Sequence, residues 1–319
     1  MKYIITGVDG KLAGRVAENM LQQVDGTDLI FTCPDPNRVS EEKKERWKKA
    51  GVTLCAVSYD DEEQMKEVFS RGERLFFISS ILNGERRVRQ HHSVIEACKK
   101  AGIQHITYTS FFGANREGYN QYVLPDHRAT EKMLRECGIE YNIMRNNLYM
   151  ENYLTTSVML AMLSDNVWGT TAGEGKVTSI AKDDSARCAA ALLLGKGEKN
   201  KDYDLTSLEP VSQRDICNMI AEKSGIPFQY KPMNAEEFLG YLEALHIPKT
   251  TDGDFSRSPV PFCSNDMITN EAGISEGQMG IVSHDVELLT GRKPLEVRDL
   301  LDQYSYVWRD KVTNWKQLY

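Results

Sequence analysis

The chain has few features that would point to a metal, a disulfide framework, a nucleic acid or a membrane. Its seven cysteines include no Cys-x-x-Cys pair and none stands at metal-ligand spacing from a histidine. An odd number scattered through mostly apolar segments excludes a disulfide scaffold, so buried thiols in a reducing cytoplasm are expected, with no metal. Basic residues are not in excess: 39 Lys and Arg stand against 46 Asp and Glu, a net charge of −7. A phosphate backbone needs a basic face, so a nucleic-acid partner is not expected. No apolar run approaches the roughly 20 residues of a membrane helix. Only Met1-Lys2 and three apolar-type residues precede Thr6-Gly7, so no leader peptide is expected either. Internal repeats and low-complexity tracts are also lacking.

What is present is a rhythm. Short apolar runs begin at Tyr3, Leu29, Val52, Leu75, Ile106 and Tyr141, and helical patterns lie between them at 12–24, 41–49, 62–69, 86–100 and 126–137. Such alternation predicts βαβ units and an α/β, Rossmann-type, doubly wound parallel sheet with helices on both faces. Gly51, Gly102 and Gly138 each close a helical pattern just before a strand, where a left-handed cap is needed. After Tyr153 the rhythm changes. Residues 170–176 read as a loop, 182–194 as a helix capped near Asp183 or Asp184, and 203–205 as a last strand. The chain is mainly helical from Ser212 on. The expected division is a dinucleotide-binding domain over 1–154, completed by 177–207. Residues 155–176 and 208–319 then form a smaller, mostly helical substrate domain. Its end carries Tyr304, Tyr306, Trp308, Trp315 and Tyr319, too aromatic for a disordered tail, so it should pack on its own domain or across a subunit boundary.

The first turn, "TGVDGKLAG", explains the opening glycines. Gly7 permits a tight exit from the first strand. Gly10 lets backbone approach a pyrophosphate, and the helix starting at Lys11 and Leu12 offers free N–H groups to it. The competing reading is a βα turn that binds nothing. The end of the second strand, "FTCPDPNR", bears on the cofactor. Asp35 suits the ribose 2′-OH of NADH, whereas Arg38 suits the 2′-phosphate of NADPH; for both, a solvated turn is the alternative. The reading is NAD(P)H, leaning to NADH.

None of the fourteen tyrosines has a lysine four residues later, so the usual proton-donating pair of short-chain dehydrogenases is absent. In the corresponding region, "DHRATEKML" sets His127 and Glu131 on one helix face, a carboxylate beside an imidazole. The competing reading is an exposed His-Glu pair. The block from "ISS" through "QHHSVIEACKKAGIQHITYTSFF" and "DHRATEKMLRECGIEYNIMRNNLYMENYL" resembles the NmrA-like atypical short-chain dehydrogenases, and most of all the quinone oxidoreductase type 2 and triphenylmethane reductase group. The resemblance implies a Rossmann domain, a small substrate domain and hydride transfer from a bound nicotinamide. More distantly related benzylic ether reductases have their catalytic lysine where His127 stands, which implies that His127 donates the proton and Glu131 orients it.

The resemblance further implies that Ser79 and Ser80, Thr109 and Ser110, and Arg145 and Asn146 line the nicotinamide end of the cofactor. Phe111, Phe112, Asn147, Tyr149 and Tyr153 would wall the substrate pocket. The alternatives are loop capping for the polar residues and core packing for the aromatic ones. Two departures stand out: Asp9 in place of a small neutral residue beside the phosphates, and Pro34 in place of the family's NADPH-binding arginine. The expected activity is reduction of a small, conjugated, apolar acceptor such as a quinone, dye or enone, with a homodimer as an allowed assembly. The alternative is a dinucleotide-binding redox sensor of the NmrA type without turnover.

Overall fold

The computed structural model describes residues 1–318. Its strands are β1 (Tyr3–Thr6), β2 (Leu29–Cys33), β3 (Thr53–Ala56), β4 (Arg74–Phe77), β5 (His105–Phe111), β6 (Glu140–Asn146), β7 (Val167–Thr170), β8 (Lys176–Val177), β9 (Lys201–Leu205), β10 (Val211–Ser212) and β11 (Gln229–Pro232). The first helices are α1 (Lys11–Leu21), α2 (Glu41–Lys49), α3 (Glu62–Phe69), α4 (Glu85–Ala101) and α5 (Leu124–Glu136). A parallel seven-stranded sheet runs in the order β3-β2-β1-β4-β5-β6-β9. The chain steps outward from β1 to β3 and then crosses back to place β4 beside β1. The carboxyl ends of β1 and β4 therefore diverge into loops on opposite faces, and a crevice opens between them.

Both faces of the sheet are covered. Ala13, Val16, Ala17 and Met20 of α1 and Trp47 of α2 pack on one face. Met65 and Phe69 of α3, Val94 and Cys98 of α4 and Leu134 of α5 pack on the other. Fully burying one such side chain stabilises the fold by roughly 1.5–3 kcal/mol. Gly51, Gly102 and Gly138 have φ of 86°, 76° and 79°, the left-handed ends expected of them.

Beyond β6, the chain forms α6 (Met150–Asn152), a π-helical turn over Tyr153–Ser157 and α7 (Val158–Met162). Then come α8 (Lys182–Leu193), α9 (Gln213–Ser224), α10 (Ala235–Ala244), α11 (Ser264–Ser275), α12 (Asp285–Thr290), α13 (Val297–Leu300) and α14 (Tyr306–Arg309). Residues 171–175 turn between β7 and β8. Each of these short strands finds a partner the sequence pattern does not reveal, β11 parallel to β7 and β10 antiparallel to β8. Helix α8 is not capped by Asp183 or Asp184. Its N-cap is Ala181, while Asp183 pairs with Arg15 at 2.7 Å and Asp184 accepts from the Leu295 N–H at 2.6 Å. These carboxylates serve long-range contacts in place of a local cap.

The aromatic tail packs on its own chain. Tyr304, Val307, Trp308 and Val312 are buried in a hydrophobic cluster formed mostly by residues beyond β6. The Trp315 N–H donates to the Pro259 carbonyl at 2.9 Å. Lys11 Nζ donates to the Leu318 carbonyl at 3.1 Å, and Arg15 Nη2 to the Tyr304 hydroxyl at 3.1 Å. Tyr319 lies outside the described residues.

Candidate functional site

A cleft of about 490 Å³ occupies the crevice beyond β1 and β4. Gly7, Gly10, Arg38, Tyr59, Ser79 and Ser80 are among the residues lining it. Gly7 has φ +68°, and a Cβ there would stand 2.6 Å from Ile78 Cγ2, so the approach of β1 to β4 requires glycine. Gly10 caps α1 without a side chain, leaving the N–H groups of the first helical turn, including those of Lys11 and Leu12, without intrahelical partners. A long cleft ending at a side-chain-free helix N-terminus fits a dinucleotide and its pyrophosphate. The Leu12 side chain itself is core.

The adenosine end differs from expectation. The Asp35 carboxylate is turned back on its own loop, accepting from the Asn37 N–H at 2.9 Å to cap the turn over Pro36–Arg38. It is not among the cleft residues; an Asx cap satisfies it locally. Arg38 does line the cleft, and it pairs at 3.0 Å with Asp9, which also lines it. Tyr59, absent from the sequence expectations, donates to the Ile78 carbonyl at 2.9 Å and braces the loop after β4.

That loop is fixed from beneath. The Ser79 N–H donates to Thr109 Oγ1 at 2.8 Å, and the Ser80 N–H donates to His91 Nε2 at 2.9 Å. His91 Nδ1 therefore carries the proton and meets Thr130 Oγ1 at 2.8 Å, which donates on to the Asp126 carbonyl. The Asp126 carboxylate accepts from the Gly84 N–H at 2.7 Å, and Arg87 reaches both Asp126 and the Leu82 carbonyl. The "QHHS" and "PDHRAT" segments thus meet behind the loop that follows β4.

The expected His127–Glu131 pair is not formed. His127 is 5% exposed, and neither ring nitrogen is free: Nδ1 meets the Tyr108 hydroxyl at 2.8 Å and Nε2 faces Arg87 at 3.5 Å. Burial, with the charge of Arg87 and the nearness of His91, holds the imidazole well below its ordinary pKa, and it stays neutral. It lines neither the cleft nor the second cavity described below. The reason is the helix phase: α5 turns Asp126, His127 and Thr130 inward against β5 and α4. Glu131 is taken by others. Its carboxylate accepts from Ser110 Oγ at 2.6 Å and from Arg145 at 2.9 and 2.7 Å. Ser110 and Arg145 stand opposite each other in the β5–β6 register, so their side chains share one face. Arg145 also meets Asp202 at 2.6 Å, which makes it an ion-network residue and withdraws it from the carboxamide end of the cofactor.

The remaining candidates divide. Asn146 accepts from Ser185 Oγ at 2.7 Å, and its Nδ2 is buried without a partner. Asn147 is a joint, donating to Thr178 Oγ1 and the Met279 carbonyl, each at 3.0 Å, so it does not wall a pocket. Phe112 is fully buried core, under the Arg116 guanidinium, and Phe111 stacks on His127. Tyr149 and Tyr153 do line a second, smaller cavity of about 90 Å³, between the end of β6 and α11. Asp266 and Glu271 of α11 lie in its wall, and no pattern in the sequence marks either of them.

The NmrA-like family model matches residues 2–265. Quinone oxidoreductase 2 of Escherichia coli is 30% identical over 244 residues, 76% of this chain and 82% of that protein. An NmrA-like family domain-containing oxidoreductase of Aspergillus flavus is 26% identical over 100% of this chain and 99% of its own. The structure resembles the NADPH-dependent quinone oxidoreductase of Escherichia coli complexed with NADPH, with TM-score 0.81, 27% identity, and 97% and 100% of the two chains covered. It also resembles triphenylmethane reductase of Citrobacter, with TM-score 0.82, 25% identity, and 95% and 99% covered. With the family model spanning the sheet, the glycine turn and both walls of the cleft, the chain belongs to the NmrA-like family.

Proposed function

We propose that this chain, an NAD(P)H-dependent oxidoreductase of the atypical short-chain type, reduces a small conjugated acceptor seated on Tyr149 and Tyr153. The observation that carries the reading is the presence of two spaces, a cleft beyond β1 and β4 and a cavity past the end of β6. A dinucleotide-sized cleft starts at a glycine-lined helix N-terminus, and an aromatic cavity opens two residues past the end of β6. A bound dihydronicotinamide would supply the hydride. Gly7, Gly10 and the first turn of α1 would hold the phosphates. Ser79 and Ser80, fixed through Thr109 and His91, would position the nicotinamide half. The aromatic part of the cavity's mixed lining, Tyr149, Tyr153 and Phe262, suits a flat, unsaturated molecule.

At the adenosine end, Asp9 neutralises Arg38, and Arg86, also at the cleft, is paired with Asp252 at 3.0 Å. A 2′-phosphate would have to displace Asp9 to gain Arg38. The relative solved with its cofactor holds NADPH; this chain is proposed to bind NADH at least as tightly. Calorimetric titration of both cofactors, followed by turnover with a quinone and an enone panel, tests the proposal. Dinucleotide binding without oxidation by any acceptor would favour a sensor.

A further inference from the structure

We infer that Asp266 is the catalytic acid of this site: its free Oδ2 delivers a proton to the acceptor's oxygen as the acceptor's carbon takes the hydride. This rests on the reductase reading above, and it moves the donor from α5 to α11.

The titratable groups lining the cavity are two tyrosines, Tyr149 and Tyr153, and two acids, Asp266 and Glu271. Burial raises the pKa of both phenols and makes them weaker donors than an ordinary tyrosine. Glu271 is occupied. It accepts from Gln213 Nε2 at 2.7 Å, from the N–H groups of Thr171 and Ala172 at 2.8 and 2.9 Å, and from the Thr170 hydroxyl. Those bonds tie it to the turn after β7 and leave it a structural group.

Asp266 is held differently. Only Oδ1 is engaged, accepting from Gln121 Nε2 at 2.8 Å and from Asn270 Nδ2 at 3.3 Å. The Gln121 amide is fixed in that sense, because its Oε1 accepts from the Val123 N–H at 2.8 Å. Both amide donors therefore fall on one oxygen. Oδ2 takes no hydrogen bond among the described residues, and it is the oxygen left to carry a proton. The residue keeps part of its surface open, in the wall of the cavity.

The surroundings suit both ends of a proton transfer. Burial raises the Asp266 pKa and favours the neutral acid before the reaction. Gln121, Arg87 and Asn270 act the other way and stabilise the carboxylate that remains afterwards. Arg87, on α4, stands outside the cavity and is paired with Asp126. The other titratable groups near Asp266 are Tyr119 and Tyr122, from the loop between β5 and α5, and the Cys263 thiol. All three have raised pKa values and stay uncharged at neutral pH. A second observation favours a polar acceptor. The Tyr153 hydroxyl is buried with no hydrogen-bond partner, at a cost of roughly 1–3 kcal/mol that a ligand oxygen would relieve.

The step balances. The hydride forms a new C–H bond at the acceptor's electrophilic carbon, and the displaced π pair comes to rest on the conjugated oxygen. The Oδ2–H bond of Asp266 breaks, and its proton forms the O–H bond of the product. The acceptor gains two electrons and the dinucleotide loses two. Water returns a proton to the carboxylate.

The test measures kcat/KM from pH 5 to 9 for benzylideneacetone, a flat enone, and for 1,4-naphthoquinone, whose reduced oxygens water can protonate. In wild type the enone value should fall as pH rises through the pKa of Asp266. Asp266→Asn should lose about a hundredfold or more with the enone, show no such fall, and bind dinucleotide as wild type does. Its loss with the quinone should be at least tenfold smaller. Asp266→Glu should regain part of the enone rate and the fall with pH. Asn270→Leu removes one amide that stabilises the carboxylate, so it should move the fall to higher pH by roughly 0.5 unit. Infrared titration of the full chain without acceptor gives a readout apart from turnover. Wild type should show a carboxylic C=O stretch, absent from Asp266→Asn, that titrates above the ordinary aspartate range. A wild-type rate and pH profile in Asp266→Asn, or no such stretch, overturns the inference while leaving a reductase that takes its proton from water. If neither acceptor oxidises a dinucleotide that demonstrably binds, the reductase reading itself fails.

Discussion

The Tyr108 hydroxyl and His127 Nδ1 share a hydrogen bond of 2.8 Å inside the protein. This pairing makes His127 part of a brace. His127→Ala should leave Tyr108 and Arg87 without their buried partner and destabilise the fold by about 1–3 kcal/mol. Urea unfolding would read that loss. Turnover per folded molecule should stay within a fewfold of wild type, against the hundredfold or greater drop expected for a lost general acid.

Acid should expose the same brace. Burial lowers the pKa of His91 and His127 well below the ordinary value, and that of His105 to about 4. Unfolded histidine takes up a proton near pH 6.5, so stability is full above that value and declines as pH falls towards the folded values. Each histidine contributes a slope of up to about 1.4 kcal/mol per pH unit. Asp266 and Glu271, raised by burial, act in the opposite sense. The histidine share is therefore the difference in slope between wild type and His127→Gln from pH 7.5 to 5.5, which should be shallower in the variant.

Glu131 and Arg145 form a buried ion pair with two hydrogen bonds. Burial alone would raise the Glu131 carboxyl, but Arg145, with Ser110 and Arg135, outweighs it and holds the pKa below the usual range. Arg145→Met should cost about 3 kcal/mol by leaving that buried carboxylate with only Ser110 and the half-exposed Arg135. The double variant Glu131→Leu/Arg145→Met should recover most of the loss in chemical denaturation.

How much of this is legible in the sequence depends on how local the determinant is. The βαβ rhythm, Gly7 and Gly10 act within a few residues and are readable. The Asp35 carboxylate misleads because the nearby Asn37 N–H captures it, and His127 because a four-residue spacing to Glu131 says nothing about which neighbours each side chain meets. Asp9 with Arg38, Ser110 with Glu131, and Asp266 with Tyr153 are juxtapositions between separate elements. No periodicity in the chain encodes them.

Freeing Arg38 should change cofactor choice. Asp9→Asn removes its partner at 3.0 Å. The ratio of NADPH to NADH affinity should rise about fivefold, in line with roughly 1 kcal/mol for one partly exposed ion pair. Equilibrium titration of each cofactor by fluorescence would measure it.

Truncation after Leu301 should remove the buried Tyr304, Val307, Trp308 and Val312 together. The milder Trp308→Ala should cost about 3 kcal/mol. Thermal melting of both variants would check this, with the truncation melting lower.

The bond from Lys11 to the Leu318 carbonyl spans 307 positions, and that from Arg15 to Tyr304 spans 289. During synthesis, the strands and helices from β1 to β6 can emerge and collapse early, since domains fold as units from the N-terminal side. The sheet still waits for β9, and the clasps on α1 wait for Tyr304 and Leu318. A nascent chain stalled anywhere before Tyr304 therefore presents a Rossmann core whose first helix is still unclasped. The first helix gains these distant clasps only after residues 304 and 318 have both emerged.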